Sequence, residues 1–345
     1  MACRSSQIHV VRGKIWKNWR KGVIICLRAL ISMSENQGGD ERMHSKNLED
    51  TELWKAYKTK INSEDRRSLW VKEIYGAAAN YLLDVRKTFP NYTLHDETHI
   101  LNVLEAMGGL LGDQISLLTV GEMELLLLAA SLHDLGMVYT EEEKKRYYQD
   151  EEACSKFLRT SRPESLGCSV EEWKAEDQQW YLRTLHPFRL WDVLENEQWS
   201  ELFKNAPLEI VSKDCILAVC QAHGEKPEEL HNNKKLEYLA ADDVDPLFCA
   251  LLLRLGDLLD FDDTRAPQVL YSYVACNEKS REEWDKHRAS AGFRYPPTPS
   301  RDDLPYKARC TNPGVEHAVQ DFLDWIDEEL GNCFTLQKYC RAGWR

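Results

Sequence analysis

The chain has 345 residues, 43% of them hydrophobic and 29% charged, with a net charge of −13. That composition supports a buried core and excludes fibrous, collagenous and wholly disordered classes. The charge is uneven: Arg4, Arg12, Lys14, Lys17, Arg20, Lys21 and Arg28 precede residue 35 with no acid among them, so setting those seven aside leaves −20 on the body. An acidic body repels phosphate backbones, which makes nucleic acid an unlikely partner. A small anionic substrate remains compatible, because a metal ion supplies positive charge locally.

Along the chain, the first segment to interpret is Gly22 to Ile31, an apolar run behind Lys14–Lys21 and interrupted by Arg28. It lacks a signal-peptide cleavage site and falls far short of the roughly 20 residues of a membrane span. A basic amphipathic helix that touches membrane or a partner, and a dispensable extension, both fit it. Residues 1–45 are therefore expected to be a flexible basic extension.

Helical patterns dominate after residue 50. Thr93 with Asp96 predicts a helix through Met107, with His95 and His99 on one face. Thr119 with Glu122 predicts a second, apolar helix over Met123 to Leu135, stopped by Gly136. Thr140 to Gln179 is charged and is expected to form a solvated helix-and-loop insertion. A helix over Leu208 to Ala222 ends at His223-Gly224. Asp245-Pro246 places a cap before a first-turn proline and predicts Leu247 to Leu259. Leu270 to Ala275 is expected to be extended, Arg294 to Pro305 irregular, and Val315 to Leu330 a final amphipathic helix. The eleven cysteines are irregularly spaced, with no CxxC pair. This pattern fits small buried side chains in a reducing cytoplasm rather than a disulfide framework.

The chemistry lies in three awkward placements. His99 sits on the first predicted core helix, His133-Asp134 closes the most apolar one, and Asp257 lies among leucines in the last. Ionisable groups in such surroundings are costly unless compensated, and a shared divalent cation compensates them. Taken singly, each has an ordinary alternative: a hydrogen-bonded core histidine, or an aspartate paired with Arg254. Taken as a set, in the order His, His-Asp, Asp, they point to a metal centre.

That order, with its flanking text, resembles the HD-domain superfamily of metal-dependent phosphohydrolases, and in particular its HD-CE branch. The resemblance rests on Tyr92-Thr-Leu-His-Asp-Glu-Thr-His99, Leu127-Leu-Ala-Ala-Ser-Leu-His-Asp-Leu-Gly-Met137, Arg254-Leu-Gly-Asp-Leu-Leu-Asp-Phe-Asp262 and Glu282-Glu-Trp-Asp-Lys-His287. It covers about residues 70 to 330. It implies an all-α HD-domain helical bundle with a helical insertion and a small C-terminal α(+β) extension, divided as 46–275 and 276–345.

It also implies one or two divalent ions (Mn, Fe, Ni, Mg or Zn). His99, His133, Asp134 and Asp257 would hold the first, and Asp134, His186 and His223 the second; His186 and His223 also fit substrate-phosphate contacts, or helix-terminus histidines that interact with the dipole. The implied activity is hydrolysis of a phosphate ester, of a nucleotide or another small phosphorylated compound. Asp134, His95 and Arg183 are the catalytic candidates, with Lys213 a further one for the leaving group; Arg183 and Lys213 also fit plain surface charges. A non-catalytic scaffold and a nuclease stay open as alternatives, the nuclease weakened by the acidic charge. Such domains also precede chaperone-type (GHKL) ATPase modules in longer polypeptides. This chain carries no Gly-rich ATP-binding motif, and stand-alone and front-part readings both stay open, as does oligomeric state. His9, His44, His231 and His317 are expected at the surface, His287 in a structural role, and Asp260 and Asp262 at a helix end with Arg265.

Overall fold

The computed structural model describes residues 8–12, 26–32, 44–61, 65–207, 210–239, 243–271, 278–295 and 303–340. Helices α1 (Glu52–Lys60), α2 (Arg66–Leu82), α3 (Glu97–Leu111) and α4 (Val120–Leu132) pack with α5 (Ala175–Leu194), α6 (Lys213–Ala222) and α7 (Pro246–Leu259) into one core. Helix α4 is the axis of that core. Its residues Leu125, Leu126, Leu127 and Leu128 are all buried, which is why its apolar positions show no single face. Thr119 and Glu122 form a reciprocal capping box at its start, and Glu122 also accepts the Asp245 amide at 3.2 Å, fixing the entry of α7.

The charged insertion contributes helices Glu141–Tyr148 and Glu151–Ser161 before α5. Beyond α7 come α8 (Glu278–Ala289), β3 (Ser290–Phe293), β4 (Asp303–Arg309) and α9 (Pro313–Leu336). A second apolar cluster, including Leu258, Leu259, Phe261, Tyr306, Val319 and Ile326, joins the end of α7 to α9. Two further strands, β1 (Ile8–Arg12) and β2 (Cys26–Ser32), complete a four-stranded sheet in the order β1-β2-β4-β3. The β2–β4 pair is parallel, and β1–β2 and β3–β4 are antiparallel. No helix among the described residues is long and apolar enough to cross a membrane.

Several sequence expectations need correction. Asp96, not Thr93, caps α3 through the Thr98 amide, so His95 precedes the helix rather than sharing its face. Helix α4 stops at Leu132, and Gly136 lies in the following 3-10 turn Leu135–Met137. There an added Cβ would collide with the His186 carbonyl, so this glycine serves a close crossing of chain rather than a helix stop. Helix α6 begins at Lys213, because Ser212 accepts the Cys215 amide as its cap.

Gln268–Tyr271 is a helical turn, not a strand, and the rest of that expected strand, residues 272–275, lies outside the described residues. The expected irregular stretch ends earlier than residue 305, since β4 starts at Asp303 and pairs with β2. Residues 26–32 form a strand rather than part of an amphipathic helix, and helix α9 runs six residues further than expected. Pairing with β4 supplies the extended backbone with partners that helical periodicity in the sequence could not reveal.

Candidate metal centre

Four helix ends and the middle of α5 bring the six candidates together. His133 is the C-cap of α4 and Asp134 opens the next turn, while His223 is the C-cap of α6. His99 sits in the first turn of α3, His186 in the middle of α5, and Asp257 near the end of α7. Helices α3 and α7 approach closely at Gly256, where a Cβ would lie 2.7 Å from Met107 Cγ and 3.1 Å from the Val103 carbonyl. That approach carries Asp257 and Asp260 over the start of α3.

The donors converge. His99 Nε2 is 3.2 Å from His133 Nε2, 3.2 Å from Asp134 Oδ2 and 3.4 Å from Asp257 Oδ1. His186 Nε2 is 2.9 Å from His223 Nε2 and 3.3 Å from Asp134 Oδ1. Each of the groups His99–His133–Asp257 and Asp134–His186–His223 keeps its donor atoms within 4.8 Å of one another, so each could hold a metal ion. Asp134 turns one oxygen to each group.

The donor set passes a geometric test for metal. Two donors about 2.1 Å from one ion at angles of about 90–110° lie about 3.0–3.4 Å apart, close to the separations found here. The four imidazoles are also oriented from behind. His133, His186 and His223 present Nδ1 to the carbonyls of Ala130, Arg183 and Cys220, three residues back in each case. His99 presents Nδ1 to Asp260 Oδ2 at 2.6 Å. A proton on Nδ1 leaves Nε2 as the inward lone pair, the tautomer that metal ligation requires.

Electrostatics point the same way. Burial, the neighbouring His186 and then His133 push His223 down to about 3, so it stays neutral. Burial opposes ionisation of Asp134, but His133, His186 and His99 outweigh it and hold the carboxyl well below the usual range. Burial and Arg265 push His99 downward, yet hydrogen bonds to Asp134 and Asp260 prevail and raise it to about 9. A proton on His99 thus supplies positive charge that the carboxylates demand, and a bound cation would displace it.

The remaining candidates divide. His95 keeps Nδ1 on the Thr93 carbonyl at 2.7 Å while Nε2 accepts from Arg265 Nη2 at 3.0 Å, with Arg183 Nη1 at 3.4 Å. Burial, then the charge of Arg265, holds His95 well below its ordinary value, so it is neutral. Arg183 lies over the Tyr92 ring beside it. Lys213 is not with them. It opens α6, at the far end from His223, and pairs with Glu195 and the Leu194 carbonyl.

His44, expected at the surface, is half-buried and lies 3.2 Å from Asn102 Oδ1, whereas His231 and His317 are exposed; the side chain of His9 lies outside the described residues. His287 is buried against Phe261, with Nδ1 3.3 Å from the Asp262 carbonyl.

Sequence reasoning missed the support behind His99. Asp260 Oδ2 also accepts from Arg265 Nη1 at 2.8 Å, and Oδ1 accepts from Asn102 Nδ2 at 2.7 Å. The pairing of Asp260 with Arg265 was legible as charge spacing, but the histidine was not. Its signal was the three-residue step from Asp257 to Asp260, which puts both acids on one side of the end of α7.

A family model described as HD-CE matches residues 89–332, more than two-thirds of the chain. No curated protein and no solved structure matches it. The matched span includes all six convergent donors, the residues behind them and most of helix α9, which packs on α7, and the chain belongs to the HD-CE family.

Proposed function

We propose that the chain is a metal-dependent phosphohydrolase that cleaves a phosphate ester of a nucleotide or related small phosphorylated compound. The observation that carries this reading is the pair of donor groups sharing the two oxygens of Asp134. His99, His133, Asp134 and Asp257 would hold one divalent ion, and Asp134, His186 and His223 a second. Mixed imidazole and carboxylate donors suit Mn, Fe, Ni, Mg or Zn without selecting sharply among them. Such ions, when bound, supply Lewis acidity that lowers the pKa of water and neutralises phosphoryl charge.

The chain's own groups do the rest. The carbonyl and carboxylate partners on Nδ1 hold the four rings in register, so the donors need no reorganisation when charge develops at phosphorus. Arg183, partly exposed beside His95, offers a cation for phosphoryl or leaving-group oxygens. His95 works as a neutral acceptor, steadying the guanidinium groups of Arg183 and Arg265, and not as a cationic acid. The acidic body disfavours long nucleic acid and favours a compact anionic substrate whose charge is met at the site itself.

The test is a panel of nucleoside mono-, di- and triphosphates, cyclic nucleotides and a generic aryl phosphodiester, assayed with Mn, Fe, Ni, Mg or Zn added. Hydrolysis that requires an added ion and falls on Arg183→Ala supports the reading. Metal uptake without turnover of any member favours a regulatory or structural centre.

A further inference from the structure

One buried ion pair ties the C-terminal helix to the turn that carries His223. Glu329, two turns from the end of α9, receives Arg254 of α7 in a two-pronged contact: Nε to Oε2 at 2.7 Å and Nη2 to Oε1 at 2.9 Å. The third nitrogen, Nη1, donates to the carbonyls of His223 at 2.8 Å and Glu225 at 2.7 Å. Both side chains are largely buried, at 14% and 5% exposure. All three guanidinium nitrogens are therefore committed, and a planar fork held at three points has one orientation.

The two carbonyls lie at and just past the C-terminus of α6, where helical carbonyls have no partner of their own. Arg254 supplies that partner and so fixes the turn from which the His223 ring projects toward His186. A clamp that only joined α7 to α9 would have no reason to place its free nitrogen on the carbonyl of a site histidine. Asp257 stands three residues from Arg254 on the same helix, so α7 serves the first donor group directly and the second through this clamp.

We propose that Glu329 is a positioning residue. Acting through Arg254, it holds His223 opposite His186, so that occupancy of the second metal group depends on the seating of helix α9. The proposal rests on reading His186 and His223 as donors, and one arm of its test needs no metal.

The test compares the 345-residue wild-type chain with Glu329→Gln and Arg254→Lys. Peptide-resolved hydrogen exchange on metal-free protein should show faster exchange over residues 221–226 in both variants, with residues 97–111 unchanged. Titration with Mn should show the second binding step weakened roughly 10- to 100-fold in Glu329→Gln while the first is retained. Arg254→Lys, which keeps the charge but cannot span the carboxylate and both carbonyls, should weaken the second step at least as much as Glu329→Gln does. Unchanged exchange over 221–226, or equal weakening of both binding steps, would overturn the proposal. If Glu329→Gln does not fold, Arg254→Lys carries the same comparison. If wild type takes up no metal, the phosphohydrolase reading fails on its own account. Exchange then decides whether the clamp exists: faster exchange supports it and unchanged exchange overturns it.

Discussion

Asp260 accepts a hydrogen bond from His99 Nδ1 at 2.6 Å, across a sequence separation of 161 residues. The same oxygen takes Arg265 Nη1 at 2.8 Å, so His99 and Arg265 share one acceptor, and Asn102 occupies the other oxygen. Asp260 itself is buried, and Arg265 and His99 together keep its carboxyl ionised against the cost of that burial. The arrangement supports His99 from its Nδ1 side, while its Nε2 meets the other donors.

Removing that support should be felt in metal affinity. Asp260→Asn leaves Arg265 buried without its counter-charge and offers His99 a poorer acceptor. We expect the binding step that uses His99 to weaken roughly 10- to 100-fold, with a loss of about 3–5 kcal/mol in stability. Calorimetric metal titration and thermal unfolding check both. Unchanged affinity in a destabilised protein would make Asp260 a fold residue only.

Gly136 makes a different prediction. A methyl group there meets the His186 backbone carbonyl, which cannot move without moving the ring that follows it. Gly136→Ala should weaken the His186–His223 group selectively and slow any hydrolysis, while Gly76→Ala, whose added methyl would meet nothing within 4 Å, serves as the control. Equal behaviour of the two variants would contradict the close-crossing account.

Removing single donors should separate the two groups. His223→Ala should reduce the metal content from about two ions to about one, because His99, His133 and Asp257 remain together. Asp134→Ala should lower both, since its two oxygens serve both groups. Metal analysis after gel filtration measures this. A loss of both ions on His223→Ala would argue for one shared site.

Glu124 makes stability depend on pH away from the site. Its side chain is fully buried in α4, accepts Tyr57 Oη at 2.9 Å, and has a carboxyl raised by burial to about 7 from an ordinary 4.5. A carboxyl whose folded value is raised favours the folded state below its unfolded value, and that stability is lost as pH rises toward the folded value. Wild type should therefore weaken relative to Glu124→Gln between about pH 4.5 and pH 7, by at most about 3 kcal/mol. Denaturant unfolding of both proteins across that range checks the sign. Parallel curves would contradict it.

The sequence made the helices and the first donors legible because their signals are local. The capping box at Thr119, the Asp245-Pro246 start and the leucines around His133 and Asp257 each declare themselves within a few residues. What stayed hidden depends on distant partners. The strand at residues 26–32 needs β4 beside it, the role of Gly136 needs His186 behind it, and Asp260 needs His99. Lys213 shows the same limit: its sequence left a leaving-group role and a surface charge both open, and the structure favours the second, since the length of α6 carries it away from His223 to an ion pair with Glu195.

The most direct test of the two-ion phosphohydrolase account is metal content measured together with hydrolysis, on wild type and on the double variant His133→Ala/Asp134→Ala. The account predicts about two divalent ions per wild-type chain and ion-dependent cleavage of a phosphate ester, with both lost in the variant. A wild-type chain that binds no Mn, Fe, Ni, Mg or Zn, or a variant that cleaves as wild type does, would contradict it.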